Sequence, residues 1–172
     1  FSSDFGVLSE KEIQFRLSQL NDWILNEKSN LESPIFLEKI LRSALSEFKE
    51  VVKFLSDLDK NPNIPFIVVR PHPAEDHQEW INALKGFNKT KLIFEGDITP
   101  WLIASKALLH RGCTTALQAI LMGKNVGSIN TVKNLDGSIS KNLSIKINTS
   151  KDVLSLLKSK KRSVIKSDLI FN

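Results

Sequence analysis

A single cysteine, Cys113, is all the thiol chemistry this chain carries, so an internal disulfide is excluded and a reducing compartment fits. Three histidines and that cysteine, at no clustered spacing, argue against a metal site. No window approaches the roughly 18 continuous apolar residues of a membrane-crossing helix. The opening FSSDFG has neither the basic nor the apolar stretch of a secretory leader, so no signal peptide is expected. Phe1 in place of Met reads as the start of a fragment of a longer protein. Internal repeats and low-complexity tracts are absent, which sets aside repeat arrays and disordered linkers.

What is present suits one ordinary domain, or one with an appendage: 172 residues, of which 41% are apolar. The net charge of +5 is local. Residues 151–166 (KDVLSLLKSKKRSVIK) are lysine-rich with one acid and no interleaved aromatics. Single-strand binders need such aromatics. The cluster therefore reads as a solvated basic tail or helix, with peripheral contact to an anionic membrane surface as an option, and no nucleic-acid partner is expected.

The hydrophobic period changes once along the chain. Residues 9–27 follow helical spacing through Ile13, Leu17, Leu20 and Ile24, and Ser9 with Glu12 makes a capping-box pattern. Residues 35–59 form a longer helix whose apolar face runs from Phe36 and Ile40 to Leu55. Short apolar runs then alternate with helical ones. Strands are expected at 66–69, 91–94, 107–110, 125–129 and 143–147; helices at 76–86, 100–106, 114–122 and 151–161. Residues 1–6 and 131–144 read as loops. The fold class is α/β, a Rossmann-like parallel sheet flanked by helices. Residues 1–60 form an N-terminal loop and helical segment packing on the domain of residues 61–172.

Ligands of such sheets bind beyond the carboxyl ends of the strands, and three informative turns fall there. After the first strand comes Arg70-Pro71-His72-Pro73. Two prolines stiffen the turn, so Arg70 is positioned to pair with phosphate in a fork, and His72 to donate to a phosphate oxygen or act as a general acid. After the second strand, Gly96, Asp97, Ile98 and Thr99 offer main-chain groups to a flat base edge. Asp97 and Thr99 serve equally well as helix caps, Thr99 with Pro100 as N-cap and first helical residue. After the third strand, the run His110-Arg111-Gly112-Cys113-Thr114-Thr115 turns straight into a helix. The free N–H groups there suit an anion. Gln118, one turn on, shares the face of Thr114 and Thr115 and reaches toward a ribose hydroxyl. No base stands near Cys113 at a recognisable spacing, so small-residue packing is the better reading of it than nucleophile. Trp101 is expected in the core and His77 on a helix surface.

Residues 70–75 (RPHPAE), 95–102 (EGDITPWL) and 110–119 (HRGCTTALQA), in that order, resemble the bacterial surface-carbohydrate biosynthesis proteins of capsule and lipopolysaccharide. These look like GT-B glycosyltransferases, and the chain is similar to their C-terminal, nucleotide-sugar-binding half over residues 66–130. The resemblance implies that His72 and Pro73 contact the phosphate and ribose of a CMP-sugar. It gives the base to Gly96, Asp97, Ile98 and Thr99, and the phosphate to the loop that follows His110: Gly112, Cys113, Thr114 and Thr115. Gln118 stands where the family usually has Glu binding ribose, and Arg111 where a smaller polar residue such as Asn is expected. The implied function is inverting, metal-independent glycosyl transfer from a CMP- or UDP-linked donor to a glycan or lipid-linked acceptor, with no further cofactor. His72 and Arg70 would stabilise the departing phosphate, and a separate N-terminal GT-B half would complete the enzyme in the cytoplasm or at the inner membrane face. The fragment alone is expected to bind nucleotide without transferring sugar. Polyol-phosphate transferases using CDP-glycerol, sugar 2-epimerases, and a non-catalytic assembly module are the alternatives.

Overall fold

The computed structural model describes residues 1, 5–27, 34–130 and 139–159. The elements run α1 (Glu10–Glu27), α2 (Pro34–Lys60), β1 (Ile67–Val69), α3 (His77–Ala83), β2 (Thr90–Leu92), α4 (Thr99–Ala104), β3 (Ala107–His110), α5 (Thr115–Leu121), β4 (Asn125–Ile129), α6 (Ile139–Asn142), β5 (Ile145–Ile147) and α7 (Ser150–Lys158). The chain is α/β, with small parallel sheets flanked by helices. The expected elements recur with bounds that differ by up to three residues, the largest differences being the ends of α3 and α7. One correction is α6, a helical turn where a loop was expected. The rest of that loop, residues 131–138, and the basic run from 160 onward lie outside the described residues.

The single expected sheet is interrupted. β1 pairs with β2 in parallel, and β3, β4 and β5 make a second parallel set, but among the described residues β1 and β3 share no ladder. Successive side chains on a strand face opposite ways. On β3, Leu109 joins one apolar cluster and Leu108 the other. On β4, Ile129 and Val126 divide in the same manner.

The larger cluster explains why the N-terminal helices belong here. Leu41, Leu45, Phe48, Val51, Leu55 and Leu58 make one continuous face of α2, and they pack with Ile67, Val69, Trp80, Ile147 and Leu156. Phe36 and Ile40 open that face but stay 49% and 48% exposed, so the buried stripe starts later than periodicity suggests. Residues 5–8 are in neither helix nor strand, yet Phe5, Val7 and Leu8 are all buried in this core. Ser9 Oγ accepts the Glu12 N–H at 3.3 Å, and the Glu12 carboxylate accepts the Leu8 N–H at 2.7 Å, so α1 is capped from both sides. Ile24 falls where side chains lie outside the described residues.

Asp59, near the end of α2, fastens that helix to the entry of β2. Its carboxylate accepts from Asn88 N–H at 2.9 Å, Lys89 N–H at 2.8 Å and Thr90 Oγ1 at 2.8 Å. Burial alone would raise its pKa; the bonds from Asn88, Thr90 and Lys89 outweigh that and hold it below the usual carboxylate value.

Gly127 sits where β4 meets β5 and α7. A Cβ built there would lie 2.6 Å from Ile147 Cγ1 and 3.0 Å from Leu156 Cδ2. Gly127→Ala is therefore expected to destabilise the fold by about 1–3 kcal/mol through overpacking. A lowered urea midpoint at unchanged slope is the checking measurement, and an unchanged midpoint would refute the packing argument.

Candidate functional site

The turn after β1 is closed on itself. Pro71 and Pro73 have no N–H, so the donors left are few. His72 N–H donates to Glu75 Oε2 at 3.1 Å, Ala74 N–H to His72 Nδ1 at 3.2 Å, and Glu75 N–H to His72 O at 2.9 Å. Nδ1 therefore acts as acceptor, which assigns the proton of the neutral ring to Nε2. The ring is exposed, and Nε2 has no partner among the described residues. Arg70 departs from its expected part. Its Nη1 donates to Glu95 O and its Nη2 to Gly96 O, each at 2.6 Å. The fork expected for a phosphate is closed on the carbonyls of the next turn, and Arg70 ties the first two turns together.

The second turn is built by Gly96, whose φ of 75° is in the left-handed region. Asp97 Oδ1 accepts the Thr99 N–H at 2.6 Å. Asp97 thus supplies the bond expected of Thr99, which is itself the first residue of α4; Ile98 occupies the N-cap position. The hydrogen bonds from Thr99, side chain first and then backbone, hold the Asp97 pKa below its usual value against slight desolvation, helped by the charge of Arg70. Asp97 and Thr99 are exposed and Ile98 is half-buried.

His110 is the clearest correction in the third turn. Expected among ligand-binding residues, it is fully buried. Its Nδ1 accepts the Gly112 N–H at 2.8 Å, and its Nε2 lies 2.8 Å from Ser144 Oγ, which itself donates to Ser140 O at 2.6 Å. That chain of donors assigns the imidazole proton to Nε2. Gly112, at φ 106°, spends its N–H on this ring, leaving it unavailable to an anion. The N–H groups of Cys113, Thr114 and Thr115 have no acceptor among the described residues. Thr114 occupies the N-cap position of α5 but makes no side-chain cap bond, so its exposed hydroxyl is not engaged in capping. Gln118 is exposed on the same face, while Cys113 and Thr115 are half-buried.

Arg111 turns the other way. It pairs with Glu47 of α2, both side chains nearly buried, and its guanidinium lies 4.9 Å from the Phe5 ring centroid. Phe5 N–H in turn donates to Glu75 Oε1 at 2.6 Å, and Trp80 Nε1 to Glu75 Oε2 at 3.0 Å. Phe5 and Trp80 both pack edge-on against Phe48 and lie tilted against each other. The first and third turns therefore stand on one aromatic platform, while Arg70 reaches across to the second.

The first and third turns offer donors: the His72 imidazole, the partly engaged Arg70, three main-chain N–H groups and the Thr114 hydroxyl, with the exposed carboxylates of Glu95 and Asp97 on the second turn. Such a set suits an anion carrying hydrogen-bond acceptors. Among the described residues no group of three His, Cys, Asp or Glu side chains is placed to hold a metal ion. Sequence reasoning missed Phe5, Glu47, Glu75 and Ser144, since nothing local marks a residue as the brace of a distant turn. His77, expected on a helix surface, is half-buried at the start of α3, and its ring stacks on Phe94, just past β2, at 3.9 Å between centroids. Trp101 is 37% exposed rather than core.

Two outcomes check the bracing. Burial first, and then the charge of Lys141, lowers the His110 pKa from 6.5 to about 4. The unfolded chain thus takes the proton first, so this part of the stability is intact above pH 6.5 and falls away as pH drops toward 4. The loss is on the order of 3 kcal/mol at most. Urea midpoints across that window should fall more steeply than in His110→Gln; equal slopes would show that the ring carries no such linkage. Glu75→Gln places an amide donor against N–H donors and should cost about 1–3 kcal/mol, read as a lower thermal midpoint.

Comparison with known proteins finds no matching family model, no matching curated protein and no matching solved structure.

Proposed function

We propose that the chain is the Rossmann-like, nucleotide-sugar-binding half of an inverting, metal-independent GT-B glycosyltransferase of bacterial surface-polysaccharide assembly. The observation that carries this reading is the exposed His72 ring, its Nε2 open, on a turn braced to its two neighbours at the carboxyl ends of parallel strands. Open parallel sheets place ligands at that edge. In this reading the His72 Nε2–H donates to a phosphate oxygen, the Gly96 turn faces the base, and the N–H groups of Cys113, Thr114 and Thr115 approach the phosphate. Gln118 offers its amide to ribose. Arg70 adds positive charge while holding the Gly96 turn in place. The work of the site is electrostatic, stabilising charge that grows on the leaving phosphate. The donor is a CMP-sugar ahead of a UDP-sugar, and the acceptor a glycan or lipid-linked glycan held by a second half. Among the described residues no helix is long and apolar enough to cross a membrane.

One observation favours a second reading, a non-catalytic assembly module: the Arg70 fork is closed on carbonyls rather than open to a ligand. Calorimetric titration with CMP, CDP and UDP separates the two. Binding of at least one nucleotide is expected, weakened about tenfold or more in His72→Ala, or about 1.4 kcal/mol. No heat with any of the three, in a chain that retains its circular dichroism, would overturn the transferase reading and favour the module.

A further inference from the structure

The interruption between β1 and β3 is a cavity of about 370 Å³. Val68 of β1 and Leu108 of β3 line its two edges; Trp101 and Leu102 of α4, and Val153 and Leu157 of α7, also line it. The walls are largely apolar, yet two of them are strand edges, which carry main-chain donors and acceptors that need partners.

The pairing of β1 shows which groups face the gap. Ile67 N–H donates to Lys89 O and Val69 O accepts from Ile93 N–H, so the main-chain groups of 67 and 69 are turned to the β2 side. Alternation turns those of Phe66, Val68 and Arg70 toward the cavity. Phe1 already takes two of them. Its amine donates to Val68 O at 2.7 Å, and its carbonyl accepts the Arg70 N–H at 2.9 Å, the bond pattern of a parallel ladder. The next groups along, Phe66 C=O and Val68 N–H, have no partner among the described residues. Among the described residues β3 likewise pairs with β4 alone, leaving its other edge open to the same cavity.

Phe1 is thus a single rung of a strand, in register and at one end of a slot. At about 3.3 Å per residue, some four residues leading into Phe1 would pass Val68, Ile67 and Phe66. The Phe1 amine is partly buried, and burial lowers its pKa from 8.0 to about 6, with Cys113 acting in the opposite direction. A peptide N–H makes the same bond to Val68 O with no charge to desolvate.

We propose that this cavity is the seat of an extended apolar strand that leads into Phe1, runs parallel to β1 and β3, and joins the two sheets into one. Its side chains are apolar on both faces, because helices line the cavity above and below, as for the inner strand of a covered parallel sheet.

The test compares three versions of the chain, each lengthened by five residues ahead of Phe1. One carries alternating Ile and Val, one carries Gly and Ser, and one carries the Ile/Val segment with Pro at its centre. The Ile/Val version is expected to slow amide exchange at Val68 at least about tenfold relative to the Gly/Ser version. Its thermal midpoint should rise by about 5 °C or more. The Pro version should lose most of both gains, since proline removes a ladder donor while keeping the segment apolar. Three results would overturn the proposal: equal exchange at Val68 in the Ile/Val and Gly/Ser versions, full protection in the Pro version, or protection that vanishes on dilution. The last would assign the slot to a second copy of the chain.

Discussion

The Glu75 carboxylate, 5% exposed, takes N–H groups from three separate places: Phe5, His72 and the Trp80 indole. A carboxylate in a nonpolar setting is costly unless its lone pairs are met by donors. Meeting them draws the N-terminal segment, the His-Pro turn and α3 to one point. Phe5 then becomes the floor under Arg111, and Phe48 the floor under Phe5 and Trp80. The candidate site sits on this platform, and its geometry depends on a group that never faces a ligand.

Buried charge does the same work elsewhere. Asp59 holds the start of β2 through three bonds, and Glu47 holds Arg111 away from the outer face of its turn. Arg111, an odd residue beside the family-like motifs, has a reason in this partner. A buried pair of this kind is poor evidence of net stability but strong evidence of position, since either partner alone would be an unpaired charge. Arg70 works by direction rather than charge: a planar guanidinium matches two neighbouring carbonyls, and Lys in its place could not span both in one plane.

The motifs that resemble a nucleotide-sugar site divide under these constraints. His72, Thr114 and Gln118 are exposed and stay candidates for direct contact. His110 and the Gly112 N–H are bound to each other inside the fold. The same six-residue stretch therefore holds residues that shape the turn and residues that face outward, and residue type does not tell them apart. A histidine is equally apt as a solvent-facing donor or as a buried two-point brace; burial selects between them.

The sequence by itself determined the alternation of strands and helices, the limits of β3 and β4, and the three turns at strand ends. Those follow from local rules: period, proline, glycine and capping residues act within a few positions. Only the tertiary structure decided that residues 5–8 belong to the core, that Glu75 and Glu47 brace the turns, and that a cavity parts β1 from β3. Each of these joins residues far apart in the chain, Phe5 to Glu75 or Glu47 to Arg111, or turns on an edge left unpaired. A hydrogen bond of that kind has no signature in spacing, because the partner is chosen by packing and by the demand that buried polar groups be met.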